Sequence, residues 1–295
     1  MRRLHSLSNR VLANYAGDGS GYRLGAQALI SITTCNRSPL VRAFVPAFHR
    51  FCLGNPRFDL LLSIDGAAFG SNPDSLAFAR ERGIAFLVSR IPEGVGISKN
   101  RVVARLGGYT YYFFVEDDVE LLDPRVFDTL IRLSEESGIH HFSLHERARI
   151  RHVISTSECQ GTKIIHALYG SAQLSFFTRT ALVVTGGWHR DFASRRRGGH
   201  TEHSYRVYRN GLAPAPFNIA EGCLGDLAWA NPPSVVSPGG RPITSNGIFT
   251  AEQELIDRRL KHLPLATPSP FRLVVPKRPR NAGVSVVVTG NSRPA

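Results

Sequence analysis

Four short apolar runs constrain the fold of this chain more than anything else in it. They are Ala28 to Thr34, Phe58 to Ile64, Ile84 to Val88 and Tyr109 to Val115. Each is rich in β-branched or aromatic residues, and each gives way to polar or acidic residues at its end. The stretches between them, Leu40 to Leu53, residues 73–82 and Gly96 to Leu106, carry helical spacing instead. Alternation of this kind predicts an α/β fold: a mostly parallel central sheet with helices on both faces. Ligands of such sheets bind beyond the carboxyl ends of the strands. Asn36, Asp65 and Glu116 to Asp118 are distant in sequence but are predicted to share that edge.

The fourth run carries the most chemistry. Tyr111-Tyr112-Phe113-Phe114-Val115 runs directly into Glu116-Asp117-Asp118. Three adjacent carboxylates at the tip of a buried strand repel one another and resist desolvation. A solvated acidic turn is the plain alternative. A divalent cation would relieve both problems, and hard oxygen ligands suit Mg²⁺ or Mn²⁺ with positions left open for a diphosphate.

The chain has 295 residues, enough for one large domain with appendages, and a formal net charge of +13. That balance favours anionic partners such as phosphorylated small molecules, nucleic acid or an acidic membrane surface. No nucleic-acid motif accompanies it, so no specific nucleic acid is expected. The 4 cysteines are far apart and form no C-x-x-C pair, against a zinc cage or a disulfide framework. No apolar leader follows Met1-Arg2-Arg3, and no run is long enough to span a bilayer. The expectation is a cytoplasmic protein, compatible with peripheral contact with an anionic membrane.

Further along, helices are predicted over Arg125 to Glu136, Thr178 to Val184 and Thr201 to Asn210, with residues 139–177 mostly extended. A short helix is also predicted over Leu4 to Tyr15. Beyond Pro214 the Pro and Gly content rises. The chain therefore divides into an N-terminal extension (1–27), a main domain (28–217) and a partly irregular C-terminal extension (218–295) with a basic stretch at Lys277-Arg278-Pro279-Arg280.

Four blocks, taken in order, resemble the nucleotide-sugar glycosyltransferases of the GT-A fold, family 2 in particular. Ile30 to Arg37 is similar to the family's opening strand and nucleotide-binding turn, which implies Thr34, Asn36 and Arg37 at the nucleotide. Leu62-Ser63-Ile64-Asp65-Gly66 resembles the second strand, whose aspartate accepts a hydrogen bond from a uracil-type base; the resemblance gives this role to Asp65. Gly94 to Leu106, followed by Phe114 to Val119, resembles the segment ending in the D-x-D metal motif. It implies Asp118 and Glu116 as metal ligands, Glu116 replacing the family's aspartate, and Asp117 near the ribose. Gly186-Gly187-Trp188 with Thr201-Glu202-His203 is similar to the acceptor block, implying Gly187 and Trp188 at the acceptor and a catalytic base at Glu202 or His203.

Several of these positions also have readings of their own. Asn100 and Arg101 are expected to open a helix after Gly94-Val95-Gly96, where amide donors and a guanidinium suit phosphate. Trp188 offers a sugar-stacking face or a core side chain. Arg195 to His200 reads as a basic loop able to close over a diphosphate, or as a solvated loop. His140 and His141 fall on opposite faces of an extended segment, against a joint metal site. Together the resemblance implies an inverting, metal-dependent transfer from a nucleotide-diphosphate sugar, a UDP-sugar first, to a hydroxyl on a carbohydrate, lipid-linked or protein acceptor. The alternatives are a non-catalytic nucleotide-sugar-binding module and a sugar-phosphate nucleotidyltransferase, although the turn Thr34-Cys35-Asn36-Arg37-Ser38 lacks the latter's Gly-rich loop ending in Lys.

Overall fold

The computed structural model describes residues 26–190, 192, 199–230, 260–267, 269–276 and, as backbone, 284–287. The helix predicted over Leu4 to Tyr15, the arginines of the Arg195 to His200 loop and the Lys277 to Arg280 stretch lie outside the described residues.

The predicted alternation is present. Strand β1 (Ala28–Thr34) leads to helix α1 (Ser38–Gly54), β2 (Phe58–Ile64) to α2 (Asn72–Glu81), and β3 (Ala85–Ser89) to α3 (Val95–Arg105). After these come β4 (Tyr111–Glu116), β5 (Val119–Leu121), α4 (Arg125–Ser137) and β6 (His141–Leu144). A hairpin of β7 (Arg151–Cys159) and β8 (Thr162–Tyr169) precedes β9 (Leu174–Thr178), α5 (Arg179–Thr185) and α6 (Gly199–Arg209). Then follow β10 (Phe217–Ala220), β11 (Leu227–Trp229), β12 (Phe271–Pro276) and β13 (Val284–Val287).

Eight strands form the central sheet in the order β13-β12-β3-β2-β1-β4-β9-β6. Pairing is parallel from β3 through β2 and β1 to β4, and antiparallel where β9 and β12 join. The reversed neighbours follow from connectivity: β9 and β12 arrive from other parts of the chain and not by a βαβ crossover. Because β12 pairs with β3, part of the segment assigned by sequence to a C-terminal extension lies in the main sheet. The expected boundary at residue 217 falls at the start of β10.

Both faces of the sheet are covered, and alternation along β4 decides which side chain serves which face. Phe113 points toward α1 and α4, where it meets Phe127 edge-on at 5.0 Å in a cluster with Phe48, Phe51 and Phe58. Phe114 points the other way and meets Trp188 edge-on at 5.1 Å, with Phe177 against both. Helices α3 and α6 complete that second face through Lys99 and His203. A sheet buried on both sides explains why its strands read as continuous apolar runs.

Register places the chemistry. Thr34 pairs with Ile64, and Thr33 with Glu116, so the ends of β1, β2 and β4 are level. Asn36, Asp65 and Glu116 to Asp118 do share the carboxyl edge.

Candidate active site

The turn after β1 is built by two asparagines. Asn36 adopts a left-handed backbone (φ 58), which Asn tolerates better than most residues. Its Oδ1 accepts from the Ser71 N–H at 2.7 Å, while its own N–H donates to Asn72 Oδ1 at 2.8 Å. Asn72 donates in turn to the carbonyls of Asp65 and Gly66. Asn36 therefore locks the β1 and β2 ends together. The turn delivers Arg37, whose Nη1 donates to Asp117 Oδ1 at 3.0 Å and Asp118 Oδ2 at 3.3 Å. Arg37 is also the N-cap residue of α1.

Burial dominates the acidic pair. It pushes the Asp117 carboxyl up to about 7 against the pull of Arg37. Asp118 is raised as well, by burial and then by the neighbouring Glu116 charge. Glu116 goes the other way: burial would raise it, but the hydrogen bond from His200, with the Lys99 and Arg37 charges, brings it net below its ordinary value.

Two basic groups stand behind Glu116. His200 Nε2 lies 3.1 Å from Glu116 Oε1, and its Nδ1 lies 3.3 Å from Lys99 Nζ. Lys99 is fully buried between the Phe114 and Trp188 rings, each centroid 5.5 Å from Nζ, and burial lowers it to about 8. At neutral pH it stays mostly cationic and donates to His200 Nδ1. His200 then carries its proton on Nε2 and donates to Glu116. Sequence reasoning gave neither residue a separate role. Lys99 had a visible signal: a basic residue in line with Val102 and Val103 on a buried side of the helix. His200 had none, because its partners come from other elements.

Asp65, Asn100 and Arg101 are placed differently from expectation. Asp65 is buried and accepts four hydrogen bonds, from Ser89 Oγ (3.2 Å), Arg101 Nη1 (2.8 Å) and the N–H groups of Glu93 (2.9 Å) and Gly94 (2.6 Å). A carboxylate has about four acceptor sites, so a base could bond to Asp65 only by displacing one of these donors. The amides around Gly94, expected to face phosphate, are already turned onto Asp65. Helix α3 starts at Val95, so Asn100 and Arg101 lie mid-helix and not at its opening. Arg101 is fully buried, with its second Nη on Glu93. Asn100 donates to the Trp188 and Ala266 carbonyls and accepts from the Trp188 N–H at 2.7 Å. Its amide fastens Gly187 and Trp188 to α3 and is not open to a phosphate.

The predicted acceptor block is core. Trp188 is 2% exposed among Phe114, Phe177 and His203, so no ring face is open to a sugar. A Cβ on Gly187 would meet Asn100 Oδ1 at 2.6 Å. Glu202 is 1% exposed and gives both oxygens to Arg206, at 2.6 Å and 2.8 Å. Arg206 then donates to the carbonyls of Thr185 and Gly187. His203 is fully buried, its Nε2 3.1 Å from both Thr185 Oγ1 and the Gly186 carbonyl. Burial and then Arg206 hold it well below the ordinary imidazole range. The pair predicted to supply the base instead ties α6 to the Thr185 to Gly187 turn. His141 and His145 are likewise buried, and His141 stacks on Phe177 at 4.1 Å.

The acidic edge fits a hard cation in one respect. Asp117 Oδ2 and Asp118 Oδ1 are buried and take no hydrogen bond of ordinary length, although the Thr34 hydroxyl is near enough to help hold the Asp117 carboxyl down. Among the described residues no three His, Cys, Asp or Glu side chains are pre-arranged around a common metal position. The guanidinium of Arg37 sits at the same pair of carboxylates.

No family model matches the sequence. No curated protein is similar to it at the sequence level. Solved structures do resemble it. The mannosyltransferase PcManGT from Pyrobaculum calidifontis, in complex with GDP-Man and Mn²⁺, aligns with a TM-score of 0.50 at 11% identity, over 73% of this chain and 68% of that one. S. aureus TarS 1-349 in complex with UDP-GlcNAc aligns with a TM-score of 0.54 at 11% identity, over 79% of this chain and 66% of that one. The UDP complex of the same TarS fragment gives a TM-score of 0.52 at 12% identity, over 79% and 65%. This chain thus spans about two thirds of the length of those it resembles. At such identities the likeness is one of fold, and the fold is that of the GT-A glycosyltransferases. Among the described residues no helix is long and apolar enough to cross a membrane.

Proposed function

We propose that this chain is a nucleotide-sugar-dependent glycosyltransferase that moves a sugar from a nucleoside diphosphate, UDP first, to an acceptor hydroxyl. The observation that carries this reading is the Glu116-Asp117-Asp118 cluster at the carboxyl end of β4, level with the β1 turn and faced by Arg37. Asp118 and Glu116, with Asp117, would hold Mn²⁺ or Mg²⁺. Bound there, the cation would act as a Lewis acid that neutralises the departing diphosphate.

The chain's own residues divide the remaining work. Arg37 offers a guanidinium fork to the diphosphate. Thr34 and Asn36 shape the turn that presents it. The Asp65–Arg101 pair fixes the Glu93 to Gly94 turn at the carboxyl edge of the sheet. Burial of Glu202 and His203 keeps both from the acceptor, so the base that takes its proton lies outside that pair. Direct displacement by the activated hydroxyl inverts the anomeric carbon. A non-catalytic donor-binding module is the second reading, favoured by the burial of Glu202 and His203.

The test is a thermal-shift panel of UDP, GDP, ADP and CDP with and without Mn²⁺, followed by donor hydrolysis. A ligand bound to the native state at 100 times its Kd should stabilise it by about 2.7 kcal/mol. The reading expects stabilisation by UDP with Mn²⁺ and slow release of UDP from a UDP-sugar. Stabilisation without turnover would select the binding module, and no stabilisation by any nucleotide would overturn both.

A further inference from the structure

The resting state of the acidic edge is already neutralised from within. Glu116, Asp117 and Asp118 are met by His200, Arg37 and, through His200, Lys99. Of these basic groups Arg37 is the one that bonds both aspartates. Its main chain is held by the Asn36 turn and by its carbonyl, which accepts from the Leu40 and Val41 N–H groups. Among the described residues its side chain hydrogen-bonds to the two aspartates only, and it is 27% exposed. Lys99, by contrast, is enclosed by Phe114 and Trp188.

Asp117 and Asp118 each give one oxygen to Arg37; the other is buried and takes no hydrogen bond of ordinary length, Thr34 bearing on Asp117 only from further off. A single guanidinium therefore satisfies only half of the acceptors it faces. A hard cation reaching the remaining oxygens would be brought against that positive charge, and the two cannot share the pair at low cost. A diphosphate arriving with the cation offers the guanidinium a bidentate partner elsewhere.

We propose that Arg37 is a resident counter-cation that competes with the divalent metal for Asp117 and Asp118, and that its transfer to the donor diphosphate couples metal and donor binding. The inference rests on the metal-dependent donor reading above and assigns its order: metal alone binds weakly, and metal with diphosphate binds well. Coupling of this kind is reciprocal, so metal raises diphosphate affinity by the same factor.

The experiment titrates Mn²⁺ alone into the full-length wild type, Arg37→Gln and Arg37→Lys, reading free Mn²⁺ by electron paramagnetic resonance. The titration is then repeated with saturating UDP. Circular dichroism confirms that the variants fold. The proposal expects Arg37→Gln to bind Mn²⁺ alone about 5-fold or more tightly than wild type, the low end of usual coupling factors. Arg37→Lys should stay near wild type, because it keeps the charge. With UDP present the advantage of Arg37→Gln should vanish or reverse. Equal or weaker binding of Mn²⁺ alone by Arg37→Gln, including no binding by either protein, overturns the proposal. If UDP with Mn²⁺ still binds in that case, only the role of Arg37 falls. If UDP with Mn²⁺ binds to neither protein, the donor reading falls as well.

Discussion

Replacing Glu202 separates a catalytic base from a structural ion pair. Glu202 and Arg206 are one helical turn apart on α6, both almost fully buried, and joined by two hydrogen bonds of 2.6 Å and 2.8 Å. Removing one partner of a buried pair strands the other charge and typically costs about 3–5 kcal/mol. Arg206 keeps the Thr185 and Gly187 carbonyls, so Glu202→Ala should fall at the low end, about 3 kcal/mol. For a domain of this size that is a drop in Tm of roughly 6–12 °C. Glu202→Gln should cost less, about 1–3 kcal/mol, because one oxygen still accepts while the amide opposes a guanidinium donor. Glu202→Leu with Arg206→Met should cost less than the sum of the single changes, since neither charge is then left alone, although two carbonyls lose their donor. Thermal melts of these variants, with Glu202→Leu and Arg206→Met also made singly, read these values, and titration of UDP with Mn²⁺ into the folded fraction should give near wild-type affinity. A base would behave in the opposite way, with Tm unchanged and turnover lowered roughly 10²–10⁴-fold in Glu202→Gln. That outcome would refute the assignment.

Trp188→Ala should destabilise the fold by about 3–5 kcal/mol through the cavity it leaves beside Phe114 and Phe177; weaker acceptor binding at unchanged Tm would restore Trp188 to the sugar site. Asp117 is raised to about 7 in the folded state, so the native chain holds a proton that the unfolded chain has already released above about pH 4. Stability from this group is therefore full below about pH 4 and is lost as pH climbs through about 7. Asp117→Asn should flatten that part of the metal-free stability–pH curve, and an unchanged curve counts against the burial argument.

Much of the fold was legible because buried parallel strands announce themselves as unbroken apolar runs. Ala28–Thr34 and Phe58–Ile64 match the predicted limits, and the next two strands are displaced by only one or two residues at an end. The gathering of Asn36, Asp65 and Glu116 at one edge also followed from topology alone. Side-chain employment did not, since a sequence shows that a group is polar but not who already holds it. Asp65 looked like a free carboxylate because Ser89, Glu93, Gly94 and Arg101 converge on it only in three dimensions. Glu202 had its partner at the i+4 position, a spacing visible in the sequence, but its burial was not. Asn100 looks like a helix opener because Gly94-Val95-Gly96 reads as one turn, whereas Gly94 alone (φ 95) makes it and α3 starts at Val95. Strand pairing of β12 with β3 was hidden because most of the main domain lies between them in the chain.

The central claim is a metal-dependent donor site on the end of β4, and isothermal titration of UDP with Mn²⁺ into Asp118→Asn tests it most directly. The substitution keeps the side chain's shape and an acceptor for Arg37 while removing one negative charge from the cluster. The account predicts that wild type binds UDP more tightly with Mn²⁺ than without, and that Asp118→Asn folds normally but loses the metal-dependent part. Unchanged UDP affinity with Mn²⁺ in Asp118→Asn would contradict it.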